Sequence, residues 1–277
     1  MLMRSAIALV MAAVIAGGAP SAGQQTPASR LVLASVTDGQ GRPLVDLDPD
    51  DFVISENGQR CEVVAAFGAD YPVIVLVDNS SEARNDLDAI RAAAVGFLSR
   101  LGERLVAVGT LTDPPAMLTS FDDERSAVLA RLEQLSASQT SMLMPIEAVA
   151  LAAKAVKENG SPFSAIVVVS AHSIDAAQPQ NTRLLPDIFD SGAAVHIVSR
   201  SSARLQADLL RDLADQTRGN FTTVFSTPSY AVALNNLADR LGTEMMVEYF
   251  APPGPAGEVQ IGVRIPGAHV RGVRVSK

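Results

Sequence analysis

Short runs rich in apolar residues recur through the middle of the chain, and they constrain its fold more than any other feature. These runs lie at positions 73–77, 105–111, 165–169, 194–198 and 221–225. Between them, apolar residues recur every three or four positions, which is helical spacing. Strands that are apolar throughout are buried on both faces, as in a parallel sheet covered by helices. The pattern therefore predicts a doubly wound, mostly parallel α/β domain over residues 71–243.

The flanks on either side of this domain have a different period. Residues 31–70 and 244–277 contain runs in which apolar and polar residues alternate, and Asn57-Gly58 fits the tight turn of a β-hairpin. A unit of three short strands is not stable alone. We therefore expect the segment 31–70 to pair with 244–277, forming a small β-sandwich beside the α/β domain.

The N-terminus has the features of an export signal. Residues 1–23 contain Arg4, an apolar stretch at 6–16 and then small residues, as a signal with its cleavage site would. The apolar stretch is shorter than the ~20 residues that span a bilayer, although a membrane anchor is the alternative. Residues 24–30 then form a polar linker, and no later segment is apolar for long enough to span. The sequence predicts an exported protein, periplasmic or secreted.

Charge and composition exclude several classes of partner. The formal net charge is −8, which argues against nucleic acid and against anionic lipid. Aromatic residues make up 4% of the chain and tryptophan is absent, which leaves little material for stacking bases or sugars. Cys61 is the single cysteine, so no internal disulfide can form. Its apolar surroundings favour a buried hydrophobe, with a reactive thiol as the alternative.

The turn after the first central run carries the most suggestive chemistry. The sequence VIVLVDNSSE, positions 73–82, leads an apolar strand into Asp78, Ser80 and Glu82, which are all oxygen donors. In a doubly wound sheet ligands bind beyond the carboxyl ends of the strands, and a hard cation such as Mg²⁺ prefers oxygen ligands. Aspartate and serine before a helix are also ordinary caps of its first turn. These residues alone leave both interpretations open.

The order of the segments resembles that of exported bacterial proteins of the von Willebrand factor type A family. The leader VTDGQGRPLVDLDPDDFVISENG, positions 36–58, is followed by an apolar strand that ends in D-x-S. Further along, LADQTRGNF and MMVEYFAPP are similar to the family's later elements. The resemblance covers nearly all of the chain after the signal, and it implies an α/β domain that binds another protein without catalysis.

Many members of that family carry a metal-ion-dependent adhesion site. Its motif is D-x-S-x-S, with a threonine from a second loop and an aspartate, within Thr-Asp-Gly, after a later strand. Asp78 and Ser80 match the motif, Glu82 replaces the second serine, and Thr140 matches the threonine. Ala171 stands where the aspartate is expected, directly after Ser170. The other donors near that position are His172 and Asp175.

The resemblance therefore implies a partial site with one carboxylate fewer than the motif. A divalent cation, Mg²⁺ or else Mn²⁺ or Ca²⁺, would be held by Asp78, Ser80, Glu82 and Thr140. The alternative is a site without metal, in which Asp78 and Ser80 cap the helix that follows. In either case the predicted edge that binds a partner consists of Asn79, Ser81, Ser141 and His172.

Two other functions compete with the noncatalytic module. Asp78 could be the nucleophile of a phosphatase-like hydrolase, but the second aspartate typical of such enzymes is replaced by Ser80. The three histidines, His172, His196 and His269, are far apart, and no phosphate-binding loop motif is present. We therefore predict no catalytic residues. The other alternative is a structural component of an envelope assembly, and the oligomeric state and the identity of the partner protein stay open.

Overall fold

The computed structural model describes residues 28–172, 181–200 and 208–276. The predicted signal lies outside these residues. Strand β1 begins at Ala28, so the last three residues of the predicted linker belong to that strand. None of the helices in the described ranges has the length and hydropathy that a membrane span requires.

The elements follow one another as β-rich, α/β and β-rich segments. The first flank supplies β1 (Ala28–Thr37), β2 (Phe52–Glu56) and β3 (Gln59–Gly68). The middle contains β4 (Val73–Val77), α1 (Leu87–Arg100), β5 (Val106–Thr110), α2 (Arg125–Glu133), α3 (Pro145–Asn159), β6 (Ala165–Ser170), α4 (Leu185–Asp190), β7 (Ala194–Arg200), α5 (Asp208–Gln216), β8 (Asn220–Val224) and α6 (Ser229–Gly242). The last flank supplies β9 (Glu244–Ala251), β10 (Val259–Val263) and β11 (His269–Val275).

The middle strands form a parallel sheet in the order β5-β4-β6-β7-β8. Helices α1, α2 and α6 pack on one face, and α3, α4 and α5 pack on the other. All five residues of β4 are buried because both faces of the sheet are covered. The prediction of a doubly wound α/β fold is confirmed. The chain leaves β4 on one side for β5 and returns to β6 on the other, so the strand order reverses beside β4.

The flanking strands form an antiparallel sheet in the order β10-β2-β3-β9-β1-β11. Strand β9 pairs with both β1 and β3, so the last flank is inserted between strands of the first. The apolar residues of all six strands enclose a core of their own. The prediction that the two flanks together form a β-sandwich-like unit is confirmed. The flanks pair because neither of them could cover its apolar face alone.

Glu56, at the end of β2, joins three parts of this unit. It is fully buried and its carboxylate accepts hydrogen bonds from Arg30, from the Tyr249 hydroxyl at 3.1 Å and from the Gly257 amide at 2.8 Å. The next residue, Asn57, has a φ of 51° and begins the predicted tight turn. The E-N-G end of the leader is therefore structural, since it closes a hairpin and places a buried acceptor beside β1 and β9.

Candidate functional site

Asp78 lies at the carboxyl end of β4, where the strand order reverses, and it is fully buried. Its Oδ1 accepts a hydrogen bond from the Ser80 amide at 2.9 Å. Its Oδ2 accepts from the Ser170 hydroxyl and from the Ala171 amide, both at 3.0 Å. The carboxylate thus ties the turn after β4 to the turn after β6, and it is directed into the protein.

The surroundings of Asp78 favour its ionised form. Burial by itself would raise the pKa of the carboxyl group, but contacts with His172, Ser80 and Ser170 outweigh it, so the pKa lies below the usual value. Neutral donors supply most of these contacts. The buried negative charge is therefore stabilised by the His172 ring together with hydrogen-bond donors of the two turns.

Ser80 has the capping role that the sequence suggested, whereas Asp78 does not. The Ser80 hydroxyl accepts a hydrogen bond from the Ala83 amide at 3.2 Å, at the start of a short 3₁₀ turn at Glu82–Asn85. Asp78 instead faces β6, because the turn that it forms with the Ser80 amide directs its second oxygen away from the helix. Capping by Asp78 is therefore wrong for this structure.

His172 places its imidazole ring between two carboxylates. Nδ1 lies 3.5 Å from Oδ2 of Asp78, and Nε2 lies 3.8 Å from Oε2 of Glu82. Nδ1 is buried, and it makes no hydrogen bond of good geometry within the described ranges. Contact with Asp78 raises the pKa of His172 against the opposing effect of burial, and Glu82 and Asp86 raise it further. Within the described residues, the ring is the one group facing Asp78 that can carry a positive charge.

The loop that contains Thr140 does approach the turn after β4, as expected. The Thr140 carbonyl accepts a hydrogen bond from the Ser81 amide at 2.8 Å, while its hydroxyl accepts from the Met142 amide at 3.1 Å. Asn79 is buried and bonds to the Thr112 hydroxyl and the Ser136 carbonyl, so it holds three loops together. Ser141 is exposed beside them. Of the predicted edge, Asn79 is structural, whereas Ser81, Ser141 and His172 reach the surface in part or in full.

A second polar cluster next to the site escaped the sequence analysis. Asp86, just before α1, accepts hydrogen bonds from Arg200 at the end of β7 and from Thr227 after β8. The Tyr230 hydroxyl donates to the Ser170 carbonyl at 2.9 Å. An aspartate before a helix reads as a cap in the sequence, so nothing pointed to partners more than a hundred positions away.

Two exposed apolar side chains also lie at this edge of the sheet. Met142 is 55% exposed in the loop before α3, and Phe225 is 77% exposed directly after β8. The sequence placed Phe225 at the end of a strand but gave no sign that its ring faces solvent. Exposed methionine and aromatic side chains are enriched where proteins bind one another.

The residues around Asp78 do not fit a divalent cation in this arrangement. Oδ2 of Asp78 already accepts two hydrogen bonds and faces an imidazole nitrogen. Ala171 contributes an amide where the motif would contribute a carboxylate, and Asp175 lies outside the described residues. Across the parts of the chain that the structure describes, no group of three His, Cys, Asp or Glu residues could hold a metal ion. Metal binding at the four predicted ligands stays an untested prediction.

Comparisons with known proteins agree with this architecture. A family model described as "von Willebrand factor type A domain" matches residues 73–172, from β4 to the turn after β6. No curated protein matches the chain.

Several solved structures are similar in fold. A von Willebrand factor type A protein from Catenulispora acidiphila has 11% identity and a TM-score of 0.57, over 91% of this chain and 74% of that one. Proximal thread matrix protein 1 from the mussel byssus, with a zinc-occupied MIDAS motif, has 11% identity and a TM-score of 0.55, over 73% of this chain and 48% of that one. The hypothetical protein BatB from Bacteroides thetaiotaomicron has 16% identity and a TM-score of 0.50, over 62% and 98%.

At these sequence identities the solved structures support the fold alone. The family match covers the segment that carries Asp78, the Thr140 loop and His172, and the topology around that segment agrees with it. The match of residues 73–172 to the von Willebrand factor type A domain model is therefore supported by the fold of this segment.

Proposed function

We propose that this chain is an exported, noncatalytic module that binds another protein through the loops at the carboxyl edge of its parallel sheet. The observation that carries the proposal is the juxtaposition of a closed polar site with an open apolar rim. Asp78 is buried and its hydrogen bonds are made inside the protein, while Met142 and Phe225 are exposed on loops beside the two outer strands of the sheet, β5 and β8. Such a surface offers contact area and shape to a partner.

The geometry of the polar site supports the noncatalytic part of the proposal. Ser170, His172 and Asp78 have the composition of a hydrolytic triad, but the Ser170 hydroxyl donates to the carboxylate and is fully buried. In a triad the hydroxyl would bond to the imidazole, which would take its proton. The Asp78 carboxylate likewise faces the turn after β6, so it is poorly placed to attack a phosphoryl group.

Site-specific photo-crosslinking in cells tests the binding surface. A photoreactive residue at position 142 or 225 is expected to capture a defined protein, because both side chains are exposed at the edge. Matched control positions are Leu105 and Val232, which are 48% and 60% exposed but lie before β5 and on α6. Crosslinks at the control positions alone would refute the proposed surface.

The envelope-assembly alternative places the contact on the β-sandwich instead. Val64 and Phe67 of β3 are 42% and 43% exposed and provide the corresponding probe positions. A specific crosslink there, with none at positions 142 and 225, would favour the structural role. Cell fractionation with N-terminal sequencing of the mature protein tests export, since cleavage near position 22 is expected for a signal peptide.

A further inference from the structure

The exchange of two neighbouring residues changes what lies over Asp78. The family motif has an aspartate followed by a glycine after the strand that corresponds to β6, whereas this chain has Ala171 followed by His172. The motif thus supplies a carboxylate and leaves space beside it. This chain supplies a methyl group and fills the adjacent space with an imidazole ring.

The structure shows that the main chain carrying this ring is held in place. The His172 amide donates to the Ser170 hydroxyl at 3.2 Å, and its carbonyl accepts from the Ser199 hydroxyl at 2.8 Å. Since the main chain is fixed on both sides, the ring projects between Asp78 and Glu82, with its nitrogens 3.5 and 3.8 Å from their carboxylate oxygens. Within the described ranges, the buried Nδ1 of the ring has no hydrogen-bond partner, and it faces the buried carboxylate.

We propose that the His172 side chain takes the place of the divalent cation over Asp78, so that this edge of the domain binds its partner without metal. The inference rests on the proposed function for the partner, but the substitution of side chain for ion can be tested without one. Glu82, which replaces the motif's second serine, fits the same exchange because it gives the outer nitrogen of the ring a carboxylate neighbour. The two departures from the motif therefore compensate each other.

Metal titration of the exported chain is the first test. Calorimetry with Mg²⁺ and with Mn²⁺ is expected to show no one-to-one binding, and EDTA should leave the thermal transition of the protein unchanged. The motif is then restored in the variant A171D/H172G. This variant is expected to bind Mn²⁺ at least tenfold more tightly than the parent and to be stabilised by Mg²⁺, because its two carboxylates repel each other until a cation lies between them. The matched control is H269A, which removes an exposed histidine from β11 and should behave as the parent does.

A single variant keeps the test decisive if A171D/H172G does not fold. H172G leaves Ala171 and its hydrogen bond to Asp78 intact but opens the space over the carboxylate, so it should gain weak Mn²⁺ binding that D78N/H172G lacks. Stoichiometric metal binding by the parent that disappears in D78N would overturn the inference. The inference would also be overturned if A171D/H172G and H172G both fold and neither gains any Mn²⁺ binding.

Failure of this inference is distinguishable from failure of the proposed function. The titrations use the metal alone, so they say nothing about whether a protein partner exists. If the crosslinked partner is found and its binding to the parent is lost in EDTA, the proposed function stands and the substitution of His172 for the ion is wrong.

Discussion

Replacing Glu56 should destabilise the protein more than any substitution in the exposed loops. The Glu56→Ala variant leaves three donors without their acceptor: the Arg30 guanidinium, the Tyr249 hydroxyl and the Gly257 amide. Arg30 is only 14% exposed in its side chain, so its charge would be left mostly buried. Breaking a buried ion pair from one side costs roughly 3–5 kcal/mol. We expect Glu56→Ala to lose about 4 kcal/mol of the free energy of unfolding, a large part of the total for a typical domain.

The Glu56→Gln variant separates the contribution of the Glu56 charge to stability from that of its side-chain shape. The amide oxygen can still accept a hydrogen bond from Tyr249 or Gly257, while the ionic contact with Arg30 is lost. Since a hydrogen bond to a charged group contributes roughly 1.5–3 kcal/mol, the loss should be about half that of the alanine variant. Urea denaturation followed by circular dichroism measures both values, and a variant at exposed Glu62 on the neighbouring strand is the control.

The pH dependence of the free energy of unfolding is a second test of the role of Glu56. Burial opposes ionisation, but hydrogen bonds from Gly257, Arg30 and Tyr249 outweigh it and hold the pKa of Glu56 below its usual value. A carboxyl group whose pKa is lower in the folded state contributes stability above its unfolded pKa of about 4.5 and loses it as the pH falls through the folded pKa. The gap between parent and Glu56→Gln should therefore be full at pH 7 and shrink below about pH 4. A loss under 1 kcal/mol in Glu56→Ala, or a gap that does not change with pH, would refute this account.

Three further substitutions test other parts of the fold by urea denaturation. Asp78→Ala should cost about 3 kcal/mol, because it leaves two buried amides and a hydroxyl without an acceptor; a cost near zero would contradict the role assigned to its hydrogen bonds. Burial, and then neighbouring arginines, lower the pKa of His196, so this side chain takes up a proton at a higher pH in the unfolded chain than in the folded one, and stability is lost as the pH falls below about 6.5. His196→Asn should remove roughly 1 kcal/mol of that loss between pH 7.5 and 5.5. Equal pH profiles of stability for the parent and the variant would argue against this role. Gly219→Ala should cost about 3 kcal/mol, since its Cβ would lie 1.8 Å from the Val195 carbonyl oxygen, while Gly242→Ala, with open space around it, should be neutral or slightly stabilising.

Much of the fold could be predicted because its signals are local. The apolar run at 73–77 is buried along its whole length, and its period alone indicated a strand covered on both faces. The Asn57-Gly58 turn follows from two residues that tolerate positive φ, and both adopt it. The approach of Thr140 to Ser81 was expected from the family resemblance and not from the strand pattern, because Thr140 lies between α2 and α3.

The contacts of the buried polar side chains could not be predicted in the same way, because they depend on partners far apart in the sequence. Glu56 looks like a polar turn residue, yet its acceptor role requires donors 26, 193 and 201 positions away. Asp86 looks like a helix cap, yet it bonds to residues 114 and 141 positions away. A side chain's type constrains what it can bind, but which groups reach it is decided by the packed elements that carry them.

The same reasoning explains why a motif altered at Glu82, Ala171 and His172 can still specify an ordered edge. In this structure the Asp78 carboxylate is held by the amides of Ser80 and Ala171, and substitutions that preserve the backbone turns preserve those donors. What the substitutions change is the group on the open side of the carboxylate, where His172 now lies. The scaffold of the site and its occupant are therefore separable. Restoring the two residues after β6 should change the occupant while leaving the scaffold, and the loops that it positions, in place.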